Sequence, residues 1–200
     1  MFKNLFVGNS MKLIRHKNPK YTEIDLEKIE YGLASVYLLI PKTILIIFVA
    51  SLMGLLSETI TFILIHVFMK MNTFGLHAKK SWVCLIISLI IFIIIPWLAL
   101  NAEISYIVKA VIGIIGIILI YKNSPADTYK KPIINKKIRA RHKLLATLTA
   151  VIFVVLSLIS PNHFMANCFI LSLSIQCIIT SPVTYTLFKL PYNNYLNYSN

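Results

Sequence analysis

Residues 81–100 read SWVCLIISLIIFIIIPWLAL, a run without a single charged side chain. At about 1.5 Å per residue, a helix of this length covers the roughly 30 Å hydrocarbon core of a bilayer. Comparable apolar runs recur along the chain, and 58% of the 200 residues are hydrophobic. Only 14% are charged, against about 25% in soluble globular domains. The sequence therefore predicts an all-α polytopic membrane protein.

Hydropathy and turn residues divide the chain into six predicted spans, the second of which is short. The spans cover residues 35–56, 60–69, 81–100, 104–121, 144–159 and 165–188. The short span has two interpretations. It either extends to Phe74, with Lys70 reaching the interface, or it ends inside the membrane as a re-entrant segment.

The segment before the first span, residues 1–34, is polar and basic, and no signal peptide is recognisable in it. Within it, either Ile24 or Leu26 recurs with Ile29 and Leu33 at helical spacing, with charged residues between them, which predicts an amphipathic helix. That helix either lies on the cytoplasmic membrane surface or packs on the rest of the protein. A single membrane-embedded domain over residues 1–200 is expected, because no room remains for a separate soluble domain.

Charge predicts the orientation in the membrane. The net charge is +13, from 20 Lys and Arg against 7 Asp and Glu. Most basic residues lie in 3–28 and 122–143, and with 70–80 these blocks fall on one side of the six-span topology. The positive-inside rule then places both termini and the basic loop 122–143 in the cytoplasm. The charge is assigned to the membrane and to an acidic partner, not to nucleic acid, because no nucleic-acid-binding fold is recognisable.

His77 and Cys84 stand seven residues apart in the stretch FGLHAKKSWVCL, residues 74–85. In one continuous helix they would share a face but lie about 10.5 Å apart along the axis, too far for a hydrogen bond. A cysteine–histidine dyad therefore requires a helix that begins after His77. Gly75 permits such a break, and Ser81 is a candidate N-cap for the following helix.

The same spacing also fits a packing cysteine beside a solvated histidine, and spacing alone leaves both interpretations open. In a dyad, Cys84 would lie in the first helical turn, where the helix dipole together with Lys79 and Lys80 favours the thiolate. Cys168 and Cys177 are interpreted as packing residues of the last span. The three cysteines form no CxxC pair, so neither a disulfide framework nor a metal site is indicated, and no cofactor is expected.

Other polar residues fall inside the predicted spans. His66 is interpreted as a neutral packing residue, although an ionisable group inside a membrane is a functional candidate by default. Lys109 is predicted to form a structural ion pair with Glu58 or Glu103. His142 is interpreted as a surface residue of the basic loop.

Two further patterns predict helix contacts. Asn167 and Gln176 in the last span are expected to form hydrogen bonds between helices, and Gln176 could also face a site. Gly113 and Gly116 form a small-residue patch that allows close helix approach. The sequence leaves open whether that approach is within the chain or between two copies.

Four short motifs together resemble the accessory gene regulator protein B (AgrB) family of membrane cysteine endopeptidases. They are YGL at 31–33, Gly75-x-His77-Ala78 followed by Cys84 and a Pro96-containing span, PADTYKKPI at 125–133, and QCIITSP at 176–182. The resemblance covers nearly the whole chain. It departs from the family pattern before His77, where only one of the two glycines that are common there is present.

The resemblance implies a reaction. His77 is the implied general base and Cys84 the implied nucleophile, which forms an acyl-thioester as the acidic C-terminal tail of a short membrane-bound precursor peptide is removed. A Cys or Ser of the peptide then closes a thiolactone or lactone, the quorum-sensing signal. The implied setting is a homodimer in the plasma membrane of a Gram-positive bacterium. The residues implied or expected to bind the substrate are Lys70, Gly75, Lys79, Lys80, Lys130, Lys131 and Gln176.

A second class of function stays open at this stage. Six spans, the intramembrane residues His66 and Lys109, and the basic loop would also suit a small-peptide permease or a membrane scaffold without proteolytic activity. The two hypotheses differ in what happens to the peptide. A peptidase shortens it, whereas a permease moves it without a change in mass.

Overall fold

The computed structural model describes residues 2–18, 21–76, 81–128 and 132–198, and its regular structure is helical. The chain forms two compact units, Met1–Val49 and Ala50–Asn200. A π-helical turn, Ile90–Ile94, joins α4 to α5, and a 3₁₀-helix covers Asn194–Tyr198. The α-helices are α1 (Phe2–Lys17), α2 (Glu23–Leu52), α3 (Leu56–Thr73), α4 (Ser81–Leu89), α5 (Ile95–Asn101), α6 (Tyr106–Asn123), α7 (Lys136–Ile159), α8 (His163–Thr180) and α9 (Pro182–Leu187).

Within the described residues, 5 helical segments are long and apolar enough to cross a membrane. They are Asp25–Leu52, Trp82–Asn101, Tyr106–Asn123, Lys136–Ile159 and His163–Thr180. The predicted all-α polytopic membrane fold is thereby confirmed. The short second span corresponds to α3, which is not among the 5. Its helix runs over 18 residues to Thr73, so it is longer than the apolar run 60–69.

The last predicted span, 165–188, is wrong at its end. α8 stops at Thr180, and Ser181 takes an extended conformation with ψ 138° before Pro182 opens α9. A residue that precedes proline is driven out of the helical region by the proline ring. The Ser181 side chain then accepts a hydrogen bond from the Val183 N–H at 3.2 Å and caps α9.

The first unit contains the predicted amphipathic face. Leu26 is buried together with Val7 and Met11 of α1, and Ile29 and Leu33 pack at the edge of this cluster. The shared face predicted from their spacing is therefore present, and it packs against α1. It is not a helix of its own, because α2 continues unbroken from Glu23 to Leu52.

The core of the second unit is formed by α3, α5, α6, α7 and α8. α8 lies at its centre, with buried residues along its whole length from Ala166 to Thr180. Cys168 and Cys177 are buried there, which confirms their interpretation as packing residues. A helix that is buried on most sides of a bundle can hold its neighbours in register, and α8 does so with polar side chains.

Asn167 and Ser172 of α8 make these contacts. Asn167 Nδ2 donates to the carbonyls of Ala99 and Ala102 at 3.0 and 2.8 Å, so the predicted hydrogen bond between helices is confirmed. Ser172 Oγ lies 3.1 Å from Nδ1 of His66. His66 is buried, as its packing interpretation requires, and Ser172 is a partner that the sequence did not reveal.

Loss of the Asn167 amide is expected to destabilise the bundle. Asn167→Ala leaves the last carbonyls of α5 without this donor, and a hydrogen bond between membrane helices contributes about 1 to 2 kcal/mol. Ser174→Ala is the matched control, because Ser174 Oγ bonds only to Ile170 O of its own helix among the described residues. Equilibrium unfolding in mixed micelles measures both. An equal loss in the two variants would contradict the assigned role.

Pro96 changes the helix geometry one turn before it, at the point where α3 makes a contact. Proline has no N–H, so the carbonyl of Phe92 loses its α-helical donor. The helix widens into the π turn Ile90–Ile94 at this point. Thr59 Oγ1 of α3 donates to the Phe92 carbonyl at 3.1 Å, which ties α3 to the π turn that follows α4.

The two glycines of α6 serve contacts within the chain. A Cβ on Gly113 would lie 2.7 Å from Cγ1 of Val154, and one on Gly116 would lie 2.8 Å from Cδ2 of Leu173. Both glycines are buried. Of the two interpretations left open by the sequence, the patch is therefore an intramolecular contact with α7 and α8.

The predicted ion pair of Lys109 is wrong. Among the described residues, Lys109 makes no ion pair with either glutamate. It lies on the buried face of α6, whereas Glu103 is exposed and Glu58 half-buried. The prediction matched residues by depth in the membrane, but the rotation of α6 turns Lys109 into the bundle.

Candidate active site

The chain leaves α3 in a turn formed by Phe74 and Gly75. Phe74 and Gly75 take positive φ angles of 56° and 122°, a region that glycine adopts without the steric cost paid by other residues. Phe74 pairs with Ala126 in an isolated parallel β-bridge. Ala126 N–H donates to Thr73 O at 2.9 Å, and Gly75 N–H donates to Ala126 O at 3.0 Å. We call the region formed by Thr73, Phe74, Gly75 and Ala126 the Ala126 end.

Gln176 of α8 holds the same turn from another direction. Its Nε2 donates to the carbonyl of Phe74 at 2.6 Å, and the side chain is fully buried. A Cβ on Gly75 would lie 2.6 Å from Cγ2 of Ile179 and 3.5 Å from Nε2 of Gln176. The turn therefore packs directly on α8. Oε1 of Gln176 accepts no hydrogen bond from any described residue, so this buried acceptor is open.

α7 reaches the turn through His142. Its Nδ1 lies 3.1 Å from Oδ1 of Asn72, and its ring meets the Phe74 ring edge-on, with the centroids 4.9 Å apart. The interpretation of His142 as a surface residue is wrong, because it is half-buried. The basic residues around it suggested solvent, but α7 crosses the end of α3 at this position.

Asp127 follows the bridge directly and joins it to the C-terminal part of the chain. Its Oδ1 accepts from the N–H of Asn194 at 3.0 Å, and its Oδ2 accepts from the N–H of Tyr195 at 2.9 Å. Oδ2 also accepts from Ile133 N–H at 3.4 Å. The backbone carbonyl of Asp127 accepts from the Tyr185 hydroxyl at 2.9 Å. The loop after α6 and the C-terminal segment are thus held by one buried residue.

Arg139 and the aromatic ring of Tyr195 complete the cluster around Asp127. The Arg139 guanidinium lies 3.8 Å from Oδ2 of Asp127 and 3.5 Å from the centre of the Tyr195 ring. Burial, with the Asp127 carboxylate as a second cause, raises the pKa of Tyr185 far above its ordinary value. Burial likewise raises the pKa of Tyr192. The Tyr185 hydroxyl therefore keeps its proton, and its role as a donor, at neutral and moderately alkaline pH.

Cys84 lies in α4, and the residues directly before Ser81 lie outside the described part of the chain. Ser81 is itself within the helix, so it is not the N-cap. Cys84 is half-buried, whereas Cys168 and Cys177 are buried. Ser88 Oγ donates to the Cys84 carbonyl at 2.8 Å.

The structure describes four of the residues singled out by the sequence. Gly75 and Gln176 meet at the Ala126 end, and Lys70 lies half-buried in the last turn of α3 beside it. Cys84 lies in α4. The remaining predicted site residues lie outside the described residues: His77, Lys79, Lys80, Lys130 and Lys131.

Sequence reasoning missed the cluster around Asp127. One signal could have revealed it, because Asp127 is the only acidic residue after Glu103 and stands in a loop that is otherwise basic. A lone carboxylate in such a loop has cations and backbone N–H groups to bind. Its partners Asn194 and Tyr195 are 67 and 68 residues away, a separation at which no local pattern connects residues.

The model of the accessory gene regulator B family matches residues 10–180. The chain belongs to the accessory gene regulator B family. A putative AgrB-like protein of Clostridium acetobutylicum is 31% identical over 190 residues, which cover 94% of this chain and 90% of the relative. The accessory gene regulator protein B of Staphylococcus carnosus is 33% identical over 137 residues, or 68% of this chain and 71% of the relative.

Listeria monocytogenes carries another AgrB-like relative, 32% identical over 173 residues that cover 86% of this chain. No solved structure matches the chain. Membership in the accessory gene regulator B family gives the protein a role in the accessory gene regulator quorum-sensing system. The apolar helices fit a multi-pass membrane protein, and these relatives come from Gram-positive bacteria.

Proposed function

We propose that this protein is a membrane cysteine endopeptidase and cyclase that matures a quorum-sensing peptide. His77 takes the proton of the Cys84 thiol, and the thiolate attacks the carbonyl that precedes the C-terminal tail of a precursor peptide. The peptide bond breaks, the tail leaves with its new amine protonated by His77, and an acyl-thioester remains on Cys84. A Cys or Ser inside the peptide then attacks the thioester, releases Cys84 and closes a thiolactone or lactone.

The observation that carries this proposal is the position of Cys84. It is half-buried in α4, whereas the other two cysteines are packed inside the bundle, and its carbonyl accepts a hydrogen bond from Ser88 Oγ. The thiolate is the nucleophilic form of cysteine, and in this proposal His77 generates it. Apolar spans beside it would limit the access of water, so that an internal nucleophile held close competes well with hydrolysis.

The Ala126 end supports a role in substrate binding for Gln176. Its Oε1 is a buried acceptor without a partner among the described residues, and such a group costs free energy unless a donor satisfies it. A backbone N–H of the bound precursor would supply that donor. Gly75 lets the turn approach α8 closely enough for Gln176 to reach it, and Lys70 adds a positive charge one turn earlier in α3.

An acidic tail is the expected partner of the basic residues near this end. Lys136, Lys137 and Arg141 are exposed on the first turns of α7, next to the loop with Lys130 and Lys131. We assign the tail to this loop and the Ala126 end to the cytoplasmic face, since positive residues accumulate there. A homodimer is part of the proposal. Its interface must involve residues other than Gly113 and Gly116.

The experiment that tests the proposed function follows the mass of the peptide. The protein is reconstituted in liposomes with a panel of synthetic precursors that share an amphipathic N-terminal segment, an internal Cys or Ser and an acidic C-terminal tail. The proposal predicts a released tail and a fragment that is one water lighter than the linear product. Intact peptide inside the liposomes would instead identify a permease. A panel that stays both intact and outside would contradict the peptidase.

A further inference from the structure

The C-terminal segment 191–198 is joined to the turn after α3 through a short series of hydrogen bonds. Asp127 binds the N–H groups of Asn194 and Tyr195 with its two carboxylate oxygens. Its neighbour Ala126 makes both backbone hydrogen bonds to Thr73 and Gly75. The anchor of the C-terminal segment therefore directly follows the bridge residue that shapes the turn leading towards His77.

The anchor is well built and buried. The Asp127 side chain is 1% exposed, and Asn194 and Tyr185 are also buried. Asn194 Nδ2 donates to Pro191 O at 3.0 Å and closes the segment on itself. A buried carboxylate that accepts several N–H groups is held in one orientation. The fixed orientation of Asp127 limits where Ala126 can lie, and Ala126 in turn fixes Gly75.

We propose that Asp127 is a positioning residue of the active site, which uses the C-terminal segment as a brace for the turn that precedes His77. This inference rests on the proposed function. Asp127 touches neither the substrate nor Cys84 in this account. It acts through Ala126, so its loss should displace the turn and leave the bundle of α3 and α5–α8 folded.

Asp127→Asn provides the sharpest test. An amide keeps the size of the side chain, but it places a donor where the carboxylate accepts from Tyr195 N–H or Asn194 N–H. Two donors then face each other, and the brace should open. Tyr195→Phe is the matched control, because Asp127 binds the backbone of Tyr195 and a phenyl ring still receives Arg139. A chain ending at Leu190 removes the brace directly.

Three measurements are made on each full-length variant and on the shortened chain. Protection of Cys168 and Cys177 from alkylation reports whether the bundle is folded, because both thiols are buried. Amide hydrogen exchange at Gly75 and Ala126 reports the bridge. The kcat and KM for precursor cleavage report the site, and a small displacement of catalytic groups costs about 10²-fold in rate.

The proposal predicts that Asp127→Asn and the shortened chain keep both thiols protected, lose exchange protection at Gly75, and lower kcat about 10²-fold with KM little changed. Tyr195→Phe should match the parent protein in all three measurements. Unchanged exchange protection at Gly75 would overturn the positioning role. Loss of that protection with an unchanged kcat would also overturn it. If the parent protein cleaves no precursor while exchange responds as predicted, the brace stands and the proposed function fails.

Discussion

Replacing Cys84 with alanine is expected to reduce precursor cleavage by about 10⁴- to 10⁶-fold, the loss that follows removal of a nucleophile that acts as a unit with its base. The reason is chemical and not structural. Cys84 is half-buried in α4, so the loss of one sulfur atom there leaves little empty volume. Thermal unfolding and membrane insertion of Cys84→Ala should therefore match the parent protein.

Cys168→Ala is the control for this substitution. It also removes one thiol, but from the packed centre of α8. Deletion of a buried group costs stability through lost packing, typically about 1 kcal/mol for a small group. We expect Cys168→Ala to lower the unfolding temperature and to keep the cleavage rate. Equal activity losses in the two variants would mean that Cys84 matters only for folding.

Gly75→Ala is expected to have the next largest effect, a fall in kcat of about 10²-fold or more. Gly75 has φ 122°, a conformation that costs about 1 to 3 kcal/mol for a residue with a side chain. The new Cβ would also lie 2.6 Å from Cγ2 of Ile179. The turn must then move away from α8, which breaks the contact of Gln176 with Phe74 and displaces the chain before His77.

Gly54→Ala separates these two causes. Gly54 also has a positive φ, 69°, but a Cβ there meets no atom within 4 Å. It should lose some stability and keep its activity. The double variant Gly75→Ala, Ile179→Ala removes the steric contact and leaves the backbone strain. Partial recovery of kcat in the double variant is predicted, and no recovery would show that the contact with Ile179 is irrelevant.

Much of the fold could be predicted from the sequence, because the bilayer requires long apolar helices and short polar turns. Several helices begin directly after a capping residue that ends the preceding turn. Ser105 caps α6, Asn135 caps α7 and Asn162 caps α8. The end of the last span was missed because hydropathy continues through Pro182. The Ser-Pro dipeptide carried the information, but a hydropathy window averages over it.

The candidate site could be predicted only in part. The helical location of Cys84 follows from the apolar run that begins at Ser81, and α4 agrees with it; its place in the first turn stays a prediction. The bridge to Ala126, the contact of Phe74 with Gln176 and the anchor at Asp127 join residues that are far apart in the chain. Such contacts depend on how the helices pack, which local periodicity does not encode. The roles of His77 and the lysines stay predictions.

The most direct test of the central claim is the mass of the protein during a single turnover. The reconstituted protein is mixed with a cleavable precursor, quenched in acid and digested, and the peptide that contains Cys84 is weighed. We expect a transient mass increase on that peptide, equal to the precursor without its tail and less one water. We expect none in Cys84→Ala. Full processing without an adduct on Cys84, or normal processing by Cys84→Ala, would contradict it.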